Sequence, residues 1–125
     1  MIHLDTNFLI RSLIPGSSEG ARMELWIRNQ IPLHVSALCW AEFLCGPLNP
    51  SDVPLLEQIL GEPIPFTRLD AEKAAELFNA SGRRRGKLMD CMIAATALRE
   101  GAAVATSNVT DFARLQIAGL RLEKP

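Results

Sequence analysis

The sequence predicts an α/β fold in which a mainly parallel sheet carries helices on both faces. Short apolar runs with strand character are separated along the whole chain by segments with helical periodicity. The 125 residues hold no repeat, linker or low-complexity stretch, so residues 1–125 read as one domain, large enough for a core without staples. Apolar residues make up 48% and charged residues 22%, the balance of a globular protein.

Each element has its own signal. "MIHL" reads as a strand, and "TNFLIRSLI" as a helix ended by Pro15-Gly16. "SSEGARMELWIRNQ" follows with a serine cap, an early acid and a late arginine, the polarity that a helix dipole favours. "PLHVSA" is a second strand, and "LCWAEFLCG" a helix closed by Gly46-Pro47. "PSDVPLLEQILG" is a short helix, and "PIPFTRL" a short strand whose prolines place it near a sheet edge. "DAEKAAELFNASG" is an amphipathic helix with Asp70 as cap and Gly82 as stop. A basic loop, "RRRGK", leads into "LMDCMIAATALREG", a helix apolar on most faces. "AAVATS" is the next strand, "NVTDFARL" a turn and short helix, and "LRLEK" the last strand.

Composition narrows the function classes. A formal net charge of −1 leaves no global footprint for nucleic acid, so any such binding must use a local patch. No segment has the length of a transmembrane helix and the N-terminus lacks a signal-peptide pattern, so a cytoplasmic protein without membrane contact is expected. Cys39, Cys45 and Cys91 form no CxxC pair and are expected as buried reduced thiols. His3 and His34 sit in apolar strand-like runs without a ligand-spaced neighbour, which favours structural roles. Trp26 and Trp40 are expected in the core.

Four acids stand in apolar company. Asp5 ends the first strand, Glu42 lies within "LCWAEFLCG", Asp90 opens the late helix and Asp111 follows "AAVATS" by a few residues. Glu19, Glu24, Glu57, Glu72 and Glu76 instead read as residues of polar helix faces. A carboxylate in an apolar setting costs several kcal/mol unless paired, hydrogen-bonded or metal-bound. Singly, Asp5 and Asp111 are each explained as helix caps and Asp90 as an acid that stabilises its own helix N-terminus through the dipole; Glu42, mid-helix with no Lys or Arg within one turn, has no such explanation. In a parallel sheet the carboxyl ends of the strands share one rim, which would gather Asp5, Asn108 and Asp111, with Asp90 and Glu42 facing it from helices. Gathered carboxylates repel and call for a divalent cation, and oxygen donors without Cys or His favour magnesium or manganese. Metal-assisted hydrolysis, with phosphodiesters as substrates, is the chemistry such a site would perform.

"DTN" after the first strand, "AEF" in an early helix, "DCMIAATA" in a late one and "TSNVTDF" after a late strand resemble the motifs of PIN-domain ribonucleases. The match spans nearly the whole chain in family order, and the short single domain resembles the VapC toxins of toxin–antitoxin pairs. The resemblance implies a three-layer α/β/α sandwich. It implies that Asp5, Glu42, Asp90 and Asp111 form the acidic site. Asp5, Asp90 and Asp111 would be metal ligands, and Glu42 a ligand or a base acting through bound water. Thr6 would be a hydroxyl that orients the first acid. Asn108 stands where the family has Asp or Asn, and the neutral amide removes one charge from the site. The implied activity is Mg2+-dependent endoribonucleolytic cleavage, Mn2+ substituting, that leaves a 3′-hydroxyl and a 5′-phosphate. A cognate antitoxin lying near "NFLIRSLI" and "ARMELWI", and a homodimer, are implied partners. Arg83, Arg84, Arg85 and Lys87 form the one dense basic run, beside Asp90, and are expected to hold the RNA backbone.

Overall fold

The buried runs read from the sequence become the centre of one sheet. The computed structural model describes residues 1–125. Strands β1 (Ile2–Leu4), β2 (Leu33–His34), β3 (Ala103–Ala105) and β4 (Leu122–Glu123) pair in the order β2-β1-β3-β4, all in parallel. Every residue of β1 and β3 is buried, so both faces of the central strands are covered. The covering helices are α1 (Thr6–Ser12), α2 (Ser18–Arg28), α3 (Ala37–Cys45), α4 (Asp52–Leu60), α5 (Arg68–Ala80), α6 (Leu88–Glu100) and α7 (Val109–Ala113). A 3-10 turn, Arg114–Ala118, follows α7. The result is the expected α/β/α sandwich. No helix is long and apolar enough to cross a membrane.

The core joins Phe8, Leu9 and Trp26 of α1 and α2 to Cys39 and Phe43 of α3, and Ile93, Ala94 and Ala97 of α6 to Val104 of β3. Phe8 stacks on Trp26 with ring centroids 5.5 Å apart, and the half-buried Trp40 stacks on Phe43 at 5.4 Å. The first turn of α2 lies so close to the end of α1 that a Cβ at Gly20 would stand 2.9 Å from the Ser12 carbonyl oxygen. Only glycine fits that corner.

Four local expectations need correction. "PIPFTRL" forms no strand. Pro63 and Pro65 have no N–H to give, and what remains is a single parallel bridge between Ile64 and Ser36 at the outer side of β2. The cap of α5 is Thr67; Asp70 sits three residues inside. Glu19 is 5% exposed and does not lie on a polar face. Cys39 and Cys91 are buried free thiols, but Cys45, at the last turn of α3, is exposed.

Candidate active site

Chain order sets the location. The connection from β1 leads to β2 on one side, and the later return leads to β3 on the other, so strand order reverses between β1 and β3. In open α/β sheets the crevice beyond the carboxyl ends of such a pair is where ligands bind. Asp5 is the first residue past β1 and Thr106 the first past β3.

Asp5 is fixed from several directions. Its N–H donates to the Ala105 carbonyl at 2.9 Å, joining the two strand ends. The Thr6 N–H donates to Oδ1 at 2.9 Å, and Thr106 Oγ1 donates to Oδ2 at 3.0 Å. Thr106 is held in turn, its Oγ1 accepting the Asn108 N–H at 2.9 Å. Each Asp5 oxygen uses one acceptor direction and keeps another. Burial pushes the Asp5 carboxyl up to about 6, against the two hydrogen bonds, and the charges of Asp90 and Glu42 push the same way.

Glu42 approaches from α3. Its Oε1 accepts from Thr6 Oγ1 at 2.9 Å, so the Thr6 hydroxyl orients Glu42 and not the first acid as expected; Asp5 receives only the Thr6 N–H, and its hydroxyl partner is Thr106. Glu42 is exposed as a residue and points outward from the apolar segment that carries it. The burial cost inferred from its neighbours is therefore not incurred. Asp90 is half-buried in the first turn of α6, where it makes no cap hydrogen bond but its charge complements the helix dipole. Burial raises its carboxyl, Lys87 and Arg114 work against that, and Asp111 and Glu42 add to it. Asp111, half-buried in α7, takes Lys87 Nζ at 3.0 Å and likewise caps nothing. Asn108 contributes its backbone N–H.

The basic loop divides. Lys87 reaches the acids. Arg83 folds back on α5, where Nη1 donates to Asn79 Oδ1 at 2.7 Å and the guanidinium stands 5.9 Å from the Phe78 ring centroid. Arg84 and Arg85 are exposed.

A PIN-domain family model matches residues 2–118. The chain belongs to the PIN-domain family. Among solved structures, this PIN domain is similar to a chain of VapBC2 from Rickettsia felis bound to a promoter DNA fragment. That match has 25% identity and a TM-score of 0.78, and covers 100% of this chain and 99% of the other. A chain of FitAcB from Neisseria gonorrhoeae matches with 25% identity and a TM-score of 0.70, over 98% of this chain and 96% of that one. A chain of a toxin–antitoxin complex from Klebsiella pneumoniae, 24% identical with a TM-score of 0.72 over 90% and 91%, shares the fold. None of the curated proteins matches.

PIN-domain nucleases generally use divalent metal ions, and the donor set of this PIN domain fits one. The donors are all carboxylate oxygens, Asp5 retains free acceptor directions, and the Lys87 ammonium already stands as a cation against Asp111. In this side-chain arrangement no three acids close on a common point at ligand distance. Reading the sequence missed three participants. Thr106 clamps Asp5, and its signal was available: a hydroxyl holds the same place after β3 that Asp5 holds after β1. Glu19 accepts from Ser107 Oγ at 3.1 Å and so anchors the loop beyond Thr106 to α2. Arg114 carries no motif signal at all.

Proposed function

We propose that this PIN domain is a divalent-metal-dependent endoribonuclease and the toxin of a toxin–antitoxin pair. The observation that carries the nuclease reading is Asp5: a buried carboxylate at the switch point of the sheet, clamped by Thr6 and Thr106, in the field of Asp90 and Glu42. Capping one N–H does not call for a second clamp or for other acids nearby. In the proposed site Asp5, Asp90 and Asp111 would hold Mg2+ or Mn2+, with Glu42 as a ligand or as base toward a bound water. When bound, the ion would lower the pKa of a water and offset charge developing on phosphoryl oxygens.

The chain's own groups do the positioning. Thr6 orients Glu42 through one hydrogen bond and Asp5 through another, which sets the spacing of the two acids. Thr106 and the Asn108 N–H keep Asp5 from turning toward solvent. Arg84 and Arg85 supply the local positive patch that a chain of net charge −1 needs for an RNA backbone, and Lys87 would join them once a metal ion took its place on Asp111.

The toxin reading is supported by full-length likeness to single chains of VapBC2 and FitAcB. It is also supported by an apolar groove between the α1–α2 corner and α4, lined by Leu13, Ile14, Ile27 and Leu55. Ile14 and Ile27 are exposed there, and an amphipathic segment of an antitoxin would cover them. A homodimer and a cytoplasmic location complete the proposal.

Cleavage of a single-stranded RNA in magnesium tests the activity. Chelation should abolish it and fresh Mg2+ or Mn2+ should restore it. Full activity in excess chelator would remove the metal from the reaction.

A further inference from the structure

Two arginines in this protein present the same edge to their surroundings. Arg99 directs Nε and Nη2 at Asp70, at 2.7 Å to Oδ1 and 3.1 Å to Oδ2, a bidentate fork on a carboxylate. Arg114, in the 3-10 turn three residues past Asp111, offers the same two nitrogens to nothing: Nε and Nη2 are screened from solvent and have no hydrogen-bond acceptor. Donors that carry a positive charge and are withheld from water are costly unless an acceptor arrives. Its charge is felt at Asp90, and the other cation at the site, Lys87, is already taken by Asp111. Where the chain leaves α7, three residues past Asp111, it therefore carries one unused, planar, two-donor cation.

Building on the nuclease reading above, we infer that Arg114 is a substrate-binding residue whose Nε–Nη2 fork takes the non-bridging oxygens of an RNA phosphodiester at the acidic site. A parallel pair of N–H donors matches two oxygens on one centre, as in a carboxylate or a phosphate. The setting favours the phosphate. A phosphodiester is the group that the nuclease reading above brings to this crevice. Arg114 is half-buried as a residue, and the inference requires its terminal torsions to turn the fork toward an incoming strand. Its place is distinct from that of Arg84 and Arg85, which stand on the exposed loop before α6.

The test is binding of a single-stranded oligoribonucleotide to the full chain in excess chelator, across 50–200 mM salt or about that range. Arg114→Gln removes fork and charge; Arg114→Lys keeps the charge and loses the fork. Arg114→Gln should weaken binding roughly 10- to 100-fold and lower the salt slope by about one phosphate contact. Arg114→Lys should keep the slope yet bind more weakly than the parent. Parental affinity in both variants overturns the assignment. So does displacement of RNA by oligoglutamate from the parent but not from Arg114→Gln with RNA affinity unchanged, since the fork then serves a protein carboxylate. If Arg114→Gln does not fold, Arg114→Lys decides alone: weaker binding supports the assignment and parental affinity overturns it. A parent that binds no RNA, with or without magnesium, removes the nuclease reading itself, and this inference with it.

Discussion

At Asp90 a helix-terminus role and a metal-site role predict opposite outcomes for one substitution. An acid that only complements the helix dipole is worth about 0.3–1 kcal/mol, so Asp90→Asn would then keep parental activity and lose a little stability. At an acidic site the change removes a charged ligand and also relieves a half-buried carboxylate raised by burial and by Asp111 and Glu42. We therefore expect an inactive variant that melts, without metal, no lower than the parent and gains less from added magnesium. Thermal melts with and without Mg2+, beside a cleavage assay, check this; parental activity would refute the role. Asp5 and Asp90 were legible because a carboxylate in an apolar run demands an explanation. Glu42 was found by the same reasoning although its own side chain points outward, since burial belongs to a face and the sequence shows only a segment. Thr106, Glu19 and Arg114 were not legible. A threonine after a strand, a glutamate in a first turn and a lone arginine are ordinary residues until the fold places the first two against Asp5 and Ser107 and the third just past Asp111.

The elements show where sequence signals compete. "TRLD", Thr67 to Asp70, is itself a capping-box pattern, three residues before the amphipathic stretch that suggested a later start. Thr67 Oγ1 accepts the Asp70 N–H at 3.2 Å, and Asp70 Oδ2 accepts the Thr67 N–H at 3.0 Å. The same carboxylate accepts both donors of the Arg99 fork and Thr96 Oγ1, so one residue starts α5 and ties it to α6. Burial alone would raise the Asp70 carboxyl, but Arg99 and Thr67 hold it below the usual carboxylate range. Thr67→Ala should cost about 1 kcal/mol, the loss of a cap. Asp70→Asn should cost about 2–3 kcal/mol, because it also leaves the Arg99 guanidinium without its counter-charge. Urea unfolding midpoints rank the two, and equal losses would mean that the ion pair adds nothing to the cap. The failed strand at "PIPFTRL" follows the same logic. β-favouring residues were present, but prolines on both sides of Ile64 leave too few donors to continue a ladder.

At the scale of the whole molecule, the alternation that made the sheet legible also fixes what its central strand must bury. His3 lies between His34 of β2 and Val104 of β3, 1% exposed, with neither ring nitrogen hydrogen-bonded. Burial lowers its pKa to about 4, helped by His34, by Arg99 of α6 and by the N-terminal amine, and opposed by Asp70 of α5. In the unfolded chain it titrates near 6.5, so between those values the unfolded state binds the extra proton. Its contribution to stability is intact above pH 6.5 and is lost as pH falls toward 4, by roughly 3 kcal/mol over the window. Asp5 acts in the opposite sense. Raised from 3.8 to about 6, it makes the folded state the better proton binder, so acidification through that range stabilises the fold. Asp90, raised as well, acts on the Asp5 side, so the metal-free parent should lose far less stability between pH 6.5 and 4 than His3 alone would take from it. The Asp70 contribution lies outside this window, because a depressed carboxyl loses its stabilisation only at lower pH. His3→Leu removes one side of the balance while filling a similar volume with no orphaned nitrogen. It should be at least as stable as the parent at neutral pH and should gain on the parent as pH falls. Denaturant unfolding of both proteins across the range isolates the histidine, since every other group appears in both curves. Parallel curves would mean that His3 keeps an ordinary pKa inside the fold.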